Sequence, residues 1–320
     1  MSLSPMLSRV ADRVYWLARY LERVENTARL INVTTDLMLD LPTAGHDGWA
    51  TLIDITGSSP HFDRADASNQ EQAVCRFLLS DRDNPGSLIS SLAGARENAR
   101  TIREIMPTET WELINAAHLY ARDNLAGQLS RSARAAHLRR LIGLGQQLSG
   151  LLENSLSRGD AYEFRRLGSN LERADMTTRI IDVRAASEVQ ADSPASRQGY
   201  WRSILRSLSA DSAYRRRMQA TISRDSVLDF LLHDASYPRS LEFCVAQMGL
   251  ALKQLPRNRR ALAYCRELSK HFSRDVERLA RDSALSEYLD RCQVYLGQLH
   301  ELIALTYFSL DGHRRSRQQQ

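Results

Sequence analysis

The chain has 320 residues, of which 43% are hydrophobic and 25% charged, a length and balance that support one large or two ordinary folded domains. No apolar run approaches the roughly 18 residues expected of a membrane span, and Arg9, Asp12 and Arg13 interrupt the N-terminal apolar residues, which excludes a signal-peptide core there. The formal net charge is +5, but all 43 cationic residues except Lys253 and Lys270 are arginine and most alternate with Asp or Glu, as on solvated helix faces. The runs YRRRM, PRNRR and HRRSRQQQ lack aromatic interleaving, so nucleic-acid binding is not expected. A cytoplasmic protein is expected, without a membrane role.

In chain order, Val14, Leu17, Leu21, Val24, Ala28 and Ile31 recur at three- and four-residue intervals and predict a long first helix. Pro85 and Pro107 suit the first turns of later helices, and Gly127 and Gly159 suit helix ends. GLGQQLSG, from Gly143, sits within a leucine-periodic helix and is not a phosphate loop, while SRGD at Ser157 joins one helix to the next. Residues 185–199 form the clearest exposed loop. No alternating β-branched run is flanked by hairpin turns, so an all-α fold is expected.

The chain repeats itself. YLERVENTARLINV, from Tyr20, aligns without a gap on NLERADMTTRIIDV, from Asn170, at an offset of 150 residues. FLLSDRDNPGSL from Phe77 faces FLLHDASYPRSL from Phe230, Trp49 faces Trp201, and Leu144 faces Leu296. Preserved order with a drifting offset predicts a tandem-duplicated helical bundle. Its halves, 1–157 and 158–312, pack into one compact unit about a pseudo-two-fold axis, followed by a disordered tail at 313–320. The halves are unequal. Arg96, Glu97, Asn98 and Arg100 occur in the first alone, and Tyr15 and Trp16 face Arg165 and Arg166.

What recurs in the ER segments is charge as well as apolar pattern: Glu22, Arg23, Glu25 and Arg29 match Glu172, Arg173, Asp175 and Arg179. Glu25–Arg29 and Asp175–Arg179 are i,i+4 pairs in the favourable order, each worth about 0.2–0.5 kcal/mol on an exposed helix. Weak exposed pairs do not need to keep their register. Its retention predicts that the two ER helices are enclosed, against each other, where a lost partner costs several kcal/mol. Three functional readings follow. Arg29, Arg96, Arg100 and Arg179 line an anion pocket, with Glu22 or Glu172 as an acid/base in an enzyme. Alternatively, the four carboxylates form a metal-binding bundle, a reading weakened by the missing histidine and the neighbouring arginines. Or the ion pairs fix the halves as a protein-docking module. No Walker A, G-x-S-x-G or H-E-x-x-H sequence is present, and the four separated cysteines read as buried thiols; no catalytic residue is assigned, and no metal or cofactor is expected.

The stretch LSRVADRVYWLARYLERVENTARLI resembles the bacterial alpha-E family, all-helical proteins named for a Glu-Arg motif, as do FLLSDRDNPGSL, ARENARTIREIMPTETWELIN and the second ER segment. The resemblance runs from about Leu7 to Leu310 and places the motif on Glu22 and Arg23, with its copy on Glu172 and Arg173. It implies genomic company with ATP-grasp proteins and transglutaminase-like peptidases. The expected function is therefore that of an accessory subunit docking on an ATP-grasp-type amide ligase in a peptide-forming or peptide-tagging system. A homo-oligomer is compatible with that role.

Overall fold

The computed structural model describes residues 6–40, 47–62, 70–191, 193–219, 221–272 and 282–308; the expected disordered tail lies outside them. These residues form thirteen α-helices and no strand. The axis of the fold is a pair of long helices, α1 (Ser8–Asp40) and α7 (Asp160–Val189), of 33 and 30 residues. At 1.5 Å per residue each is about 45–50 Å long. The apolar stripe of α1 explains its burial: Val14, Leu17, Val24, Ala28 and Ile31 are all in the core, with Leu21 partly buried. Fully burying each such side chain contributes about 1.5–3 kcal/mol for the larger ones.

Contacts between α1 and α7 ascend along both helices, from Met6–Asp160 through Arg19–Glu172 to Thr34–Arg184, so the two run parallel. Gly168 sets their separation, because a β-carbon there would lie 2.3 Å from the Tyr15 carbonyl oxygen and 3.2 Å from the Ala18 methyl. The other helices wrap this pair. In the first half these are α2 (Asp47–Ile55), α3 (Gln70–Leu79), α4 (Leu88–Thr101), α5 (Thr108–Asn124) and α6 (Arg131–Ser155). In the second they are α8 (Pro194–Ser207), α9 (Asp211–Met218), α10 (Arg224–His233), α11 (Leu241–Gln254), α12 (Arg259–His271) and α13 (Asp282–Tyr307).

The packing has a repeated pattern. Helix α1 lies on α4 and α6, and α7 lies on α11 and α13; α5 joins α4 to α6 as α12 joins α11 to α13. Helix α2 packs more on α7 than on α1, and α8 packs on both long helices. With neighbours on several sides, α1 encloses polar as well as apolar positions, including Glu22, Glu25, Asn26 and Thr27. Of the retained charges of the ER segments, Glu22, Glu25 and Glu172 are therefore buried, and Arg23, Arg29, Arg173, Asp175 and Arg179 are partly buried.

Several local expectations are corrected. Residues 185–199 are not one exposed loop: Ala185 is buried in α7, which runs to Val189, and α8 begins at Pro194. The break is short because Ser193 caps α8, its side chain accepting from the Ser196 amide, and Pro194 supplies the helical φ of the first turn. Pro85 precedes the helix it was expected to open, because Ser87 is the cap of α4. Gly159 caps the start of α7 rather than ending α6, which stops at Ser155. Pro107 stands at the cap of α5, Gly127 adopts a left-handed φ of 88°, and GLGQQLSG is helical within α6. All four cysteines are buried free thiols.

Candidate functional site

The two ER motifs exchange partners across the α1–α7 seam. Glu172 accepts from Arg23, at 2.7 Å from Nε and 3.2 Å from Nη2, while Glu22 is paired with Arg173. Each motif glutamate thus belongs to one helix and is neutralised by the motif arginine of the other. Parallel helices in register make this reciprocity possible, since Glu22 and Arg23 on α1 stand level with Glu172 and Arg173 on α7.

A second arginine completes each half of the exchange, and these two come from unrelated places. Arg19 on α1 donates from Nε to Glu172 at 2.7 Å, and its guanidinium lies 4.8 Å from the centre of the Trp16 ring. Arg239, in the turn before α11, reaches Glu22 at 3.4 Å, Glu25 at 3.1 Å and the side-chain amide oxygen Oδ1 of Asn26 at 2.8 Å. Its backbone is anchored, since the Thr177 hydroxyl on α7 donates to the Arg239 carbonyl at 2.9 Å. Ser240, the next residue, caps α11 and fixes where Arg239 points. In the aligned sequence, Arg19 corresponds to Ser169 and Arg239 to Gly86.

Glu25 also binds Arg29, and Asp175 binds Arg179 at 3.0 Å, so both i,i+4 pairs form. Glu22 and Glu172 are 5% and 3% exposed. Burial pushes both carboxyls up, but Arg173 and Arg239 around Glu22, and Arg23 and Arg19 around Glu172, outweigh it and hold both below the ordinary range. Arg173 and Arg19 are correspondingly held more firmly protonated, because the facing carboxylates outweigh their own desolvation. Six arginines meet four carboxylates here, and the cluster carries an excess of positive charge.

An aromatic group lies at one end of the cluster. The buried Tyr15 hydroxyl bonds His300 Nδ1 at 2.8 Å, and Trp16 meets the His300 ring edge to face. Burial, helped by Arg19, depresses the His300 pKa to about 4, leaving a neutral ring at pH 7. Burial raises Tyr15 to about 12. These residues belong to the first half's YW, which faces Arg165 and Arg166 in the second. Arg165 pairs with Glu153, and Arg166 with Glu163 and Gln247.

Not every predicted residue joins the site. Arg96 bonds Asn115 at 2.7 Å and lies over Trp111; Asn98 accepts from Arg13; Glu97 and Arg100 form an exposed pair. Among the described contacts, none of these four touches the ER pairs. Among the described contacts, Arg29, Arg96, Arg100 and Arg179 share no partner: they bond Glu25, Asn115, Glu97 and Asp175 respectively. Sequence reasoning missed Arg19 and Arg239. Arg19 could have been found one turn before Arg23 on the same helix face, and Arg239 as the mismatch with Gly86 inside the otherwise matched FLL segment.

An ER motif also appears in the description of the family that this chain matches. Residues 6–308 match the Alpha-E family model, described as a predicted alpha-helical domain with a conserved ER motif. The chain belongs to the Alpha-E family. Among curated proteins, it is similar to uncharacterized proteins of Mycobacterium bovis and Mycobacterium tuberculosis, at 28% identity over 267 residues. The match covers 78% of this chain and 30% of each relative, so the chain spans about a third of the length of the curated relatives it matches. No solved structure matches it. Among the described residues, no helix of this Alpha-E chain is long and apolar enough to cross a membrane.

Proposed function

We propose that the chain is an accessory docking module of an ATP-grasp-type amide ligase system, and that its ER motifs act as an internal clamp rather than as catalytic acids. One observation carries the clamp reading: Glu22 and Glu172 each face two guanidinium groups inside the core. A general base needs a free lone pair and reach to a substrate proton. Both carboxylates have their ionised form stabilised by arginine: Glu172 accepts hydrogen bonds on both oxygens, and Glu22 pairs with Arg173 through Oε1 while its Oε2, 3.4 Å from Arg239, makes no hydrogen bond but is enclosed away from solvent. The same arginines repel a metal cation from the carboxylates.

The reciprocal pairing and the repeated packing of α1 with α4 and α6, and α7 with α11 and α13, support descent from a tandem duplication with a pseudo-two-fold axis along the seam. In that reading the two halves form one unit, and the unequal additions (Arg19, the Tyr15–Trp16 pair, Arg239) distinguish its two faces. The partner rests on the family resemblance. It is also supported by the longer relatives, in which a similar helical region is one part of a larger polypeptide. A transglutaminase-like peptidase is a further partner in the same scheme.

The test is size-exclusion chromatography of the full chain mixed with an ATP-grasp-type ligase of the same organism, at micromolar concentration. A shared peak is expected, and separate elution of the two proteins overturns the partnership. The clamp is tested separately by thermal melting of Glu172→Gln: an unchanged midpoint overturns it.

A further inference from the structure

Between the two halves, beside the ER cluster, lies a second polar feature that the clamp does not use. A cavity of about 420 Å³ is bounded by α1, α6 and the corner between α8 and α9. Its volume is in the range of small-molecule pockets. Three arginines line it, one from each wall: Arg29, Arg139 and Arg206.

These arginines differ in how far they are committed. Arg206 pairs with Asp36 at the rim. Arg29 gives Nη2 to Glu25, which holds the guanidinium in place, while its Nε is enclosed without a hydrogen-bond partner. Arg139 is exposed and has no carboxylate partner among the described contacts. The remaining acid of the lining, Asp211, is paired with Arg215 of its own helix. Ser209 and Ser212 add hydroxyl groups on the α9 side. Fixed guanidinium forks with unused N–H groups, backed by hydroxyl donors, suit an oxyanion.

The fold supplies its own comparison. At the offset of 150 residues that aligns the ER segments, Asn32, Thr35 and Asp36 become Asp182, Ala185 and Ala186. Those three line a smaller cavity, of about 250 Å³, with Arg224 as its one arginine. Two grooves at matching places on the long helices therefore differ in charge, so the arginine lining is a property of this one groove and not of the packing.

We infer that the cavity between α1, α6 and the α8–α9 corner is a binding site for a small organic oxyanion, a phosphoryl compound or a carboxylate, held by Arg29, Arg139 and Arg206. The inference is independent of the docking partner. Arg29 links the two features, since an anion in the cavity and Glu25 act on the same guanidinium.

The test is isothermal titration of the full chain with inorganic phosphate and, separately, with succinate, against a chloride background of equal ionic strength. Saturable binding of at least one probe is expected. Arg139→Gln, which alters an exposed side chain, weakens it by about tenfold, the loss expected for one charge-assisted hydrogen bond. Arg206→Gln weakens it likewise, and Arg100→Gln, on a distant exposed pair, does not. Phosphate alone identifies a phosphoryl ligand, succinate alone a carboxylate, and both a general oxyanion site. Absence of saturable binding to either probe, or equal affinity in the native chain and Arg139→Gln, overturns the inference.

Discussion

Glu22 and Glu172 owe their position to partners and not to exposure, and this makes single substitutions asymmetric. Glu22→Gln leaves Arg173 and Arg239 facing an uncharged amide inside the core. Loss of one member of a buried pair costs about 3–5 kcal/mol, which urea unfolding at pH 7 will read as a lowered midpoint. The pH dependence follows from the depressed carboxyl pKa values. Unfolded chains bind protons at these glutamates near pH 4.5, before the folded state does. The stabilisation is therefore complete above pH 4.5 and falls as pH drops towards the lower native values. In Glu22→Gln that acid-side slope is shallower. Arg184 presents the opposite case. It is fully buried, its Nη2 donates to Thr34 at 2.5 Å, and its Nε and Nη1 have no partner among the described residues. Burial lowers its pKa to about 10, with no carboxylate among the causes. Arg184→Met keeps an unbranched apolar stem and removes the desolvated charge, so a gain of about 1–4 kcal/mol in unfolding free energy is expected. A loss of stability would show that the guanidinium is better satisfied than its contacts indicate.

Among the elements, the decisive contact is the close parallel passage of α1 and α7. Gly168 is a helix-interior glycine that an isolated α7 would gain from losing, by about 0.5–1 kcal/mol on change to alanine. In the assembled fold a methyl group meets the Tyr15 carbonyl, which is backbone and cannot rotate away. Gly168→Ala is expected to force the helices apart, strain the four ER bonds that span the seam, and cost about 1–3 kcal/mol or more. Gly150, in the interior of α6, has nothing within 4 Å of its notional β-carbon. Gly150→Ala therefore shows the intrinsic gain and raises the melting temperature. Opposite signs for the two variants in one thermal-melting series are the expected result; equal signs would mean that the seam yields more easily than its geometry implies.

For the molecule as a whole, each half's motif carboxylate is neutralised by arginines from the other half or from the seam between them. Residues 1–157 alone would leave Glu22 without Arg173, Arg239 or the packing of α7. The full chain is expected to unfold in a single transition, with tryptophan fluorescence and far-ultraviolet circular dichroism coincident; two separated transitions would show that the halves are independently stable. The sequence by itself determined the helical class and the apolar stripe of α1, though not where that helix begins and ends. It also carried the matched ER segments and their enclosure, because apolar spacing and repeated charge are local, periodic signals. Among its twelve candidate residues, Glu22, Arg23, Glu172 and Arg173 are the four that the structure places in one exchange of ion pairs. What the sequence did not contain was who pairs with whom. An i,i+4 partner such as Arg29 for Glu25 is dictated by helix geometry alone. The exchange of Glu22 with Arg173 and Glu172 with Arg23 requires two parallel helices in register. Arg239 reaches the cluster through a capped turn more than 200 residues away in sequence. Arg96 and Arg100, equally charged and equally prominent in the sequence, ended on another face. Charge is written residue by residue, but the neighbour that neutralises a buried charge is chosen by packing, and only the tertiary structure decided it.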